Sequence, residues 1–121
     1  MKKIYYLGTC DTCRKIMQEA GISSTAGFEM QDIKTQPVTS AQLEAMKKLA
    51  GSYEALFSRR ALLYKELGLK DQQLKEADYK KYILKEYTFL KRPVVIINDK
   101  IFIGSEKKTI AALKEITDAS K

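Results

Sequence analysis

A chain of 121 residues with 45% apolar and 31% charged side chains is the size of one domain that can bury its own core, which excludes wholesale disorder. Its formal charge of +7 points weakly to an anionic partner, whether nucleic acid, an acidic protein surface or an oxyanion, although a solvated lysine-rich surface is the commoner origin of such a balance. The absence of histidine removes Cys-His acyl-transfer chemistry and any side chain that titrates unperturbed near neutral pH.

Taken in order, Lys3-Ile4-Tyr5-Tyr6-Leu7 is short, β-branched and aromatic, and predicts a strand. The run Lys15-Ile16-Met17-Gln18-Glu19-Ala20 is rich in helix formers and stops at Gly21, which predicts a helix with a glycine stop. Between them stand both cysteines of the chain, Cys10 and Cys13, at the spacing C-x-x-C. Cys10 therefore falls where a strand turns into a helix. Unsatisfied N–H groups and the positive end of the helix dipole stabilise an anion at that point, and Arg14 adds a fixed positive charge one turn on. Each of these lowers a thiol pKa, and the thiolate is the reactive form. A structural zinc site wants four ligands. With no histidine and no third cysteine, only a site shared between two copies would serve, and no metal is expected. Two small hydrophobes that happen to lie close remain the bland alternative to a redox or nucleophilic pair.

Phe28-Glu29-Met30-Gln31-Asp32-Ile33 alternates apolar with polar and predicts a second strand, parallel to the first through the intervening helix. Thr39 and Gln42 stand as the two halves of a capping box, with Val38 and Leu43 at the positions of a hydrophobic staple, so a helix is expected to about Leu49, closed by Gly51. Short helical pieces are predicted over Tyr53–Phe57, over Arg60–Leu67 up to Gly68, and over Asp78–Tyr87, the last opened by an aspartate cap. Lys91-Arg92-Pro93-Val94-Val95-Ile96-Ile97 resumes strand character, and four consecutive β-branched residues suggest burial on both faces. Asn98-Asp99-Lys100 turns the chain, Ile101-Phe102-Ile103 returns antiparallel, and a last helix carries Ile110, Leu113 and Ile116 on one face. The order is βαβ, a helical insertion at about 39–88, then ββα. One α/β domain over 1–121 is expected, its sheet drawing strands from both ends of the chain. No run approaches the ~20 apolar residues of a membrane span, and the signal-like Met1-Lys2-Lys3 leads into an apolar run that breaks at Gly8-Thr9, so the expectation is a cytoplasmic protein. In that compartment a C-x-x-C is more often catalytic than a structural staple.

This order of elements, together with Cys10-Asp-Thr-Cys13-Arg14-Lys15, Leu62-Leu63-Tyr64-Lys65-Glu66-Leu67-Gly68-Leu69 and Leu90-Lys91-Arg92-Pro93-Val94-Val95, resembles the ArsC/Spx branch of the thioredoxin-like fold over nearly the whole length. The resemblance implies a four-stranded mixed sheet flanked by helices, with a mainly helical insertion between its halves. It also implies one of two function classes. Arsenate reductases of the ArsC type attack arsenate with a cysteine and are recycled by glutathione and glutaredoxin. Spx-type proteins use the C-x-x-C as a redox switch and regulate transcription through RNA polymerase.

Matched position by position, the reductase nucleophile corresponds to Cys10, the arginine after it to Arg14, and the arginine before the family's cis proline to Arg92, with Pro93 as that proline. Two further arginines complete the reductase's oxyanion clamp. The first falls near Ser58, with Arg59 and Arg60 one and two residues away, and the second falls at Ile103-Gly104, where the chain has no arginine. A doubly charged oxyanion is strongly hydrated and needs several bidentate guanidinium contacts, so this thinner clamp argues against arsenate as substrate. Cys13 replaces a serine of the reductase pattern and could resolve a mixed disulfide on Cys10 internally.

The resulting expectation is a cytoplasmic thiol-disulfide oxidoreductase without a bound cofactor, reduced by glutathione, glutaredoxin or thioredoxin, and monomeric. The alternative is an Spx-like regulator that binds the RNA polymerase α subunit, for which Lys75, Lys80, Lys81, Lys85, Lys91 and Arg92 could offer a basic surface. A phosphatase loop of the form Cys-x5-Arg is excluded, because Ile16 stands six after Cys10, and no DNA-reading helix is recognisable.

Overall fold

The computed structural model describes residues 1–119, with side chains through Thr117, and the chain folds into two compact units. One comprises Met1–Gln36 and Arg92 onward; the other comprises Pro37–Lys91.

The first unit holds a four-stranded sheet in the order β2-β1-β3-β4, with β1 at Lys2–Tyr6, β2 at Glu29–Asp32, β3 at Val94–Ile97 and β4 at Lys100–Ile103. β1 pairs parallel with β2, from Lys3 opposite Glu29 to Tyr6 opposite Asp32. It pairs antiparallel with β3, where Tyr5 faces Val94, and β3 pairs antiparallel with β4. The parallel pair requires a crossover, and helix α1 (Asp11–Ala20) supplies it. β3 consists of Val94, Val95, Ile96 and Ile97, all buried, as a central strand covered on both faces should be. The tight turn into β4 is made possible by Asn98 at φ 55°, a residue type that tolerates the left-handed region better than most. On one side of the sheet Ile4, Val95 and Ile97 pack with Ile16 and Ala20 of α1, Ile22, Phe28, and Leu113 of the last helix, α5 (Lys107–Ala119). Ile110 and Ile116 pack against this core, so the predicted i, i+3, i+6 stripe of α5 is its inner face.

The second unit is helical. Helix α2 (Ser40–Ala50) opens with a complete capping box: the Gln42 amide nitrogen donates to Thr39 Oγ1 at 3.1 Å, and the Thr39 amide donates to Gln42 Oε1 at 3.1 Å. Gly51 closes it at φ 95°. Short helices α3 (Leu62–Glu66) and α4 (Glu76–Lys85) follow, with 3-10 turns at Glu54–Leu56, Leu69–Asp71 and Tyr87–Phe89. The expected aspartate cap at Asp78 is corrected here. α4 starts two residues earlier, and Asp78 is its third residue, with Oδ2 accepting from the Lys75 amide at 2.9 Å. An acidic side chain serves the first turn equally well from that position, because the orphan donors and the dipole extend over the whole turn. The strand expected from Lys91 likewise begins only at Val94, since proline cannot donate to a ladder. The two ends of the helical unit are stitched to each other by the Ser58 amide donating to Phe89 O at 2.7 Å and the Lys91 amide donating to Leu56 O at 2.8 Å. Phe57 is the hub of its aromatic cluster, stacked on Phe89 at 5.2 Å between ring centroids and tilted against Tyr79 at 4.9 Å.

Candidate functional site

The chain leaves β1 through a turn, Leu7-Gly8-Thr9-Cys10, closed by the Cys10 amide donating to Leu7 O at 3.0 Å. Cys10 is the N-cap of α1, with extended backbone at φ −91° and ψ 114°, and Cys13 is the third residue of the helix. A cap residue aims its side chain at the free amides of the first helical turn, which here belong to Thr12 and Cys13. The two thiols differ sharply in exposure. Cys10 is half-buried, whereas Cys13 is fully buried, and neither is in a disulfide.

Their acidities diverge for reasons visible in this geometry. Partial burial opposes ionisation of Cys10. Against it act the backbone amide of Cys13, the Cys13 thiol, the backbone amide of Thr12 and the positive charge of Arg92, and together they hold the Cys10 thiol below its ordinary value. No cap hydrogen bond is formed to the neutral thiol, so the amides act chiefly on the charged sulfur, which attracts both dipoles. Cys13 moves the other way. Burial is the largest cause, and the hydrogen bond and negative charge of Cys10 add to it, while the Leu7 amide and Arg92 oppose it; the thiol is pushed up to about 11. Of the two sulfurs Cys10 is therefore the one that ionises first, and it is the one nearer solvent.

Arg92 and Pro93 immediately precede β3, and the pairing of Tyr5 with Val94 brings them to the end of the sheet from which the cysteine turn departs. The Arg92-Pro93 peptide is cis, as the resemblance implies. Pro93 O accepts from the Gly104 amide at 2.9 Å. Gly104, directly after β4, thus lies beside the proline.

The remaining arginines are engaged differently. Arg14 pairs with Asp11 on the exposed surface of α1, and the side-chain cation that lowers Cys10 is Arg92. A position one turn into the helix points the guanidinium along the helix surface, where an i,i+3 carboxylate is its nearest partner. In the helical unit, Arg59 donates to Glu54 Oε2 at 2.8 Å and to Tyr79 Oη at 3.2 Å, and Arg60 is exposed. Of the basic residues named above, Lys80 pairs with Glu44 at 3.0 Å.

Two contributors escape sequence reasoning. The Leu7 amide acts on Cys13, an effect no side-chain motif encodes. Asp32, at the end of β2, accepts from the Gly8 amide through Oδ2 at 3.2 Å; its only sequence signal is an Asp directly after an alternating run, a common turn opener. Among the described residues, no group of three or more Cys, Asp or Glu is placed to hold a metal ion, and no helix is long and apolar enough to cross a membrane.

The sequence matches the ArsC family over residues 5–113. No curated protein matches it. Solved structures do. The protein SACOL0876 from Staphylococcus aureus aligns with a TM-score of 0.70 at 26% identity, over 93% of this chain and 97% of that one. An arsenate reductase from Vibrio cholerae aligns at 0.69 and 22% identity, over 95% and 96%. An arsenate reductase (ArsC) related protein from Brucella melitensis aligns at 0.68 and 22%, over 92% of each chain.

Proposed function

Because the chain belongs to the ArsC family, we propose that it is a thiol-disulfide oxidoreductase in which Cys10 attacks and Cys13 resolves. The observation that carries this reading is the split between the two sulfurs: a half-buried thiol with lowered pKa at the helix cap, and a buried one raised to about 11 behind it. The Cys10 thiolate attacks one sulfur of a disulfide, forming a Cys10–substrate disulfide and releasing the other sulfur as a thiolate that takes a proton from water. With Cys10 bonded, its negative charge is gone, and with it two of the causes that raise Cys13. Cys13 then ionises more readily, attacks the Cys10 sulfur and expels the second substrate thiolate. Two electrons have passed to the substrate, and the protein is left as a Cys10–Cys13 disulfide. An external thiol, glutathione or a glutaredoxin- or thioredoxin-type protein, returns it to the dithiol.

Arg92 and Pro93 would face the incoming group, Arg92 through its charge and Pro93 by presenting backbone. Arg14 is a further candidate anion contact, although it would first have to give up Asp11. Arsenate is a poor fit on this account, because around Ile103-Gly104, where the resemblance puts the reductase's last arginine, this chain has none. A cytoplasmic location suits a dithiol kept reduced. The deciding experiment compares reduction of insulin disulfides by the dithiol form with coupled turnover of arsenate in the presence of glutathione and glutaredoxin. We expect the first and little of the second, and loss of disulfide exchange in Cys10→Ser. Efficient arsenate turnover, or exchange that survives in Cys10→Ser, defeats the reading. The sequence Cys10–Lys15 also suits a regulator that binds the RNA polymerase α subunit, and capture of that subunit by the oxidised but not the reduced chain would favour it instead.

A further inference from the structure

Asp32 plays no part in the exchange chemistry above, yet its carboxylate reaches the turn that delivers Cys10. Its main-chain oxygen accepts from the Gln36 amide at 2.8 Å and from Thr35 Oγ1 at 3.3 Å, and its Oδ1 accepts from the Lys34 amide at 3.0 Å. These contacts fix the residue in the turn that leaves β2. The other carboxylate oxygen, Oδ2, crosses to the Gly8 amide at 3.2 Å. Gly8 is the second residue of the Leu7–Cys10 turn. A Cβ at that position would lie 2.7 Å from Oδ2, closer than real contacts allow, so the lack of a side chain at Gly8 is what admits the carboxylate. The Ile33 amide donates to Tyr6 O at 2.9 Å just before it. The turn is thus tied at three successive residues: Tyr6 by Ile33, Leu7 by Cys10, and Gly8 by Asp32.

We infer that Asp32 is a positioning residue for Cys10. By holding the Gly8 amide, its carboxylate sets the turn so that the Cys10 sulfur faces the Thr12 and Cys13 amides. The inference rests on the reading of Cys10 as the reactive thiolate. Charge alone would work in the opposite sense, since a second anion near Cys10 disfavours the thiolate. The other charged groups around the turn are Asp11 and Arg14 on α1, Lys34 after β2 and Arg92 before β3.

The test is the pH profile of Cys10 alkylation by iodoacetamide, followed by peptide mass spectrometry on the full chain in 1 M KCl, where through-space charge effects are screened beyond about 3 Å. In Asp32→Ala the midpoint should rise by roughly half a unit, about a threefold loss of thiolate on the acidic side. Gly8→Ala, which forces the carboxylate away, should behave as Asp32→Ala does and stands in for it if that variant does not fold. An unmoved or lowered midpoint in the truncation, as removal of a charge alone would give, overturns the inference while leaving a lowered midpoint in the parent protein intact. A parent midpoint at the ordinary thiol value overturns the nucleophile reading and this inference together.

Discussion

Each of the two units contains an arginine set against acidic or acceptor groups, and the two arrangements behave differently. In the helical unit, Arg59, the Glu54 carboxylate and the Tyr79 hydroxyl form a closed triangle with edges of 2.8, 3.2 and 3.2 Å. The carboxylate there accepts from both partners, and the result is structural. In the sheet unit, Arg92 acts on an anion that exists only when Cys10 is ionised, and the Cys13 amide, the Cys13 thiol and the Thr12 amide all act more strongly on it than Arg92 does. A positive charge beside a conditional anion tunes acidity. Beside the Glu54 carboxylate it makes an ion pair. The same residue type therefore lowers a thiol's pKa in one unit and closes an ion pair in the other, and the difference lies in the partner.

The largest expected effect comes from removing Cys13, the proposed resolving thiol. Cys13→Ser should keep Cys10 attack but accumulate the mixed disulfide with a small aromatic disulfide, slowing turnover by on the order of a hundredfold. Release of the first thiol would continue as a stoichiometric burst. Equal turnover in the two proteins would show that external thiol, not Cys13, does the resolving.

Alkaline pH probes the buried sulfur by linkage. Cys13 is raised from an ordinary value of 9.0 to about 11 in the folded protein, so the folded state holds its proton more tightly than the unfolded chain. That contribution is fully present below pH 9 and is lost as pH rises towards 11. Two units correspond to about 2–3 kcal/mol at most. Urea unfolding at pH 8 and pH 11 should show the stability gap between the parent protein and Cys13→Ala shrinking by up to that amount. A gap that stays constant or widens contradicts the raised Cys13.

Neutralising the cation is a smaller step, because Arg92 is the last of the causes acting on Cys10. Arg92→Ala should raise the midpoint of Cys10 alkylation and slow labelling near neutral pH about two- to fivefold, with Arg92→Lys closer to the parent protein. The smallest effect belongs to the structural triangle. Glu54→Gln should cost at most about 1 kcal/mol in urea unfolding, since both partners are roughly half exposed, and should leave the Cys10 pH profile unmoved. A shift in that profile would break the contrast drawn between the units.

Much of this is legible in the amino-acid order because the relevant signals are local. The Thr39–Gln42 box, the stop at Gly51, the four β-branched residues of β3 and the stripe Ile110-Leu113-Ile116 each encode their outcome within a few positions. Asp78 misleads as a cap because an acidic side chain suits several sites in a first turn equally. The placement of Cys10 at a helix start is local too, whereas Pro93 is marked as the family's cis proline only through resemblance. Arg14 is a natural candidate for tuning Cys10 on spacing alone, but its carboxylate neighbour Asp11 claims it.

What the chain determined alone is the set of elements and the location of the cysteine pair, since periodicity, caps and a C-x-x-C at a strand-to-helix junction need only neighbours to be read. Tertiary structure decided which cation acts on the sulfurs, which thiol is buried, and that Asp32 reaches Gly8. These depend on residues 24 to more than 80 positions apart meeting at one end of a sheet, and hydrogen bonds and Coulomb forces act over distances in space that sequence separation does not measure.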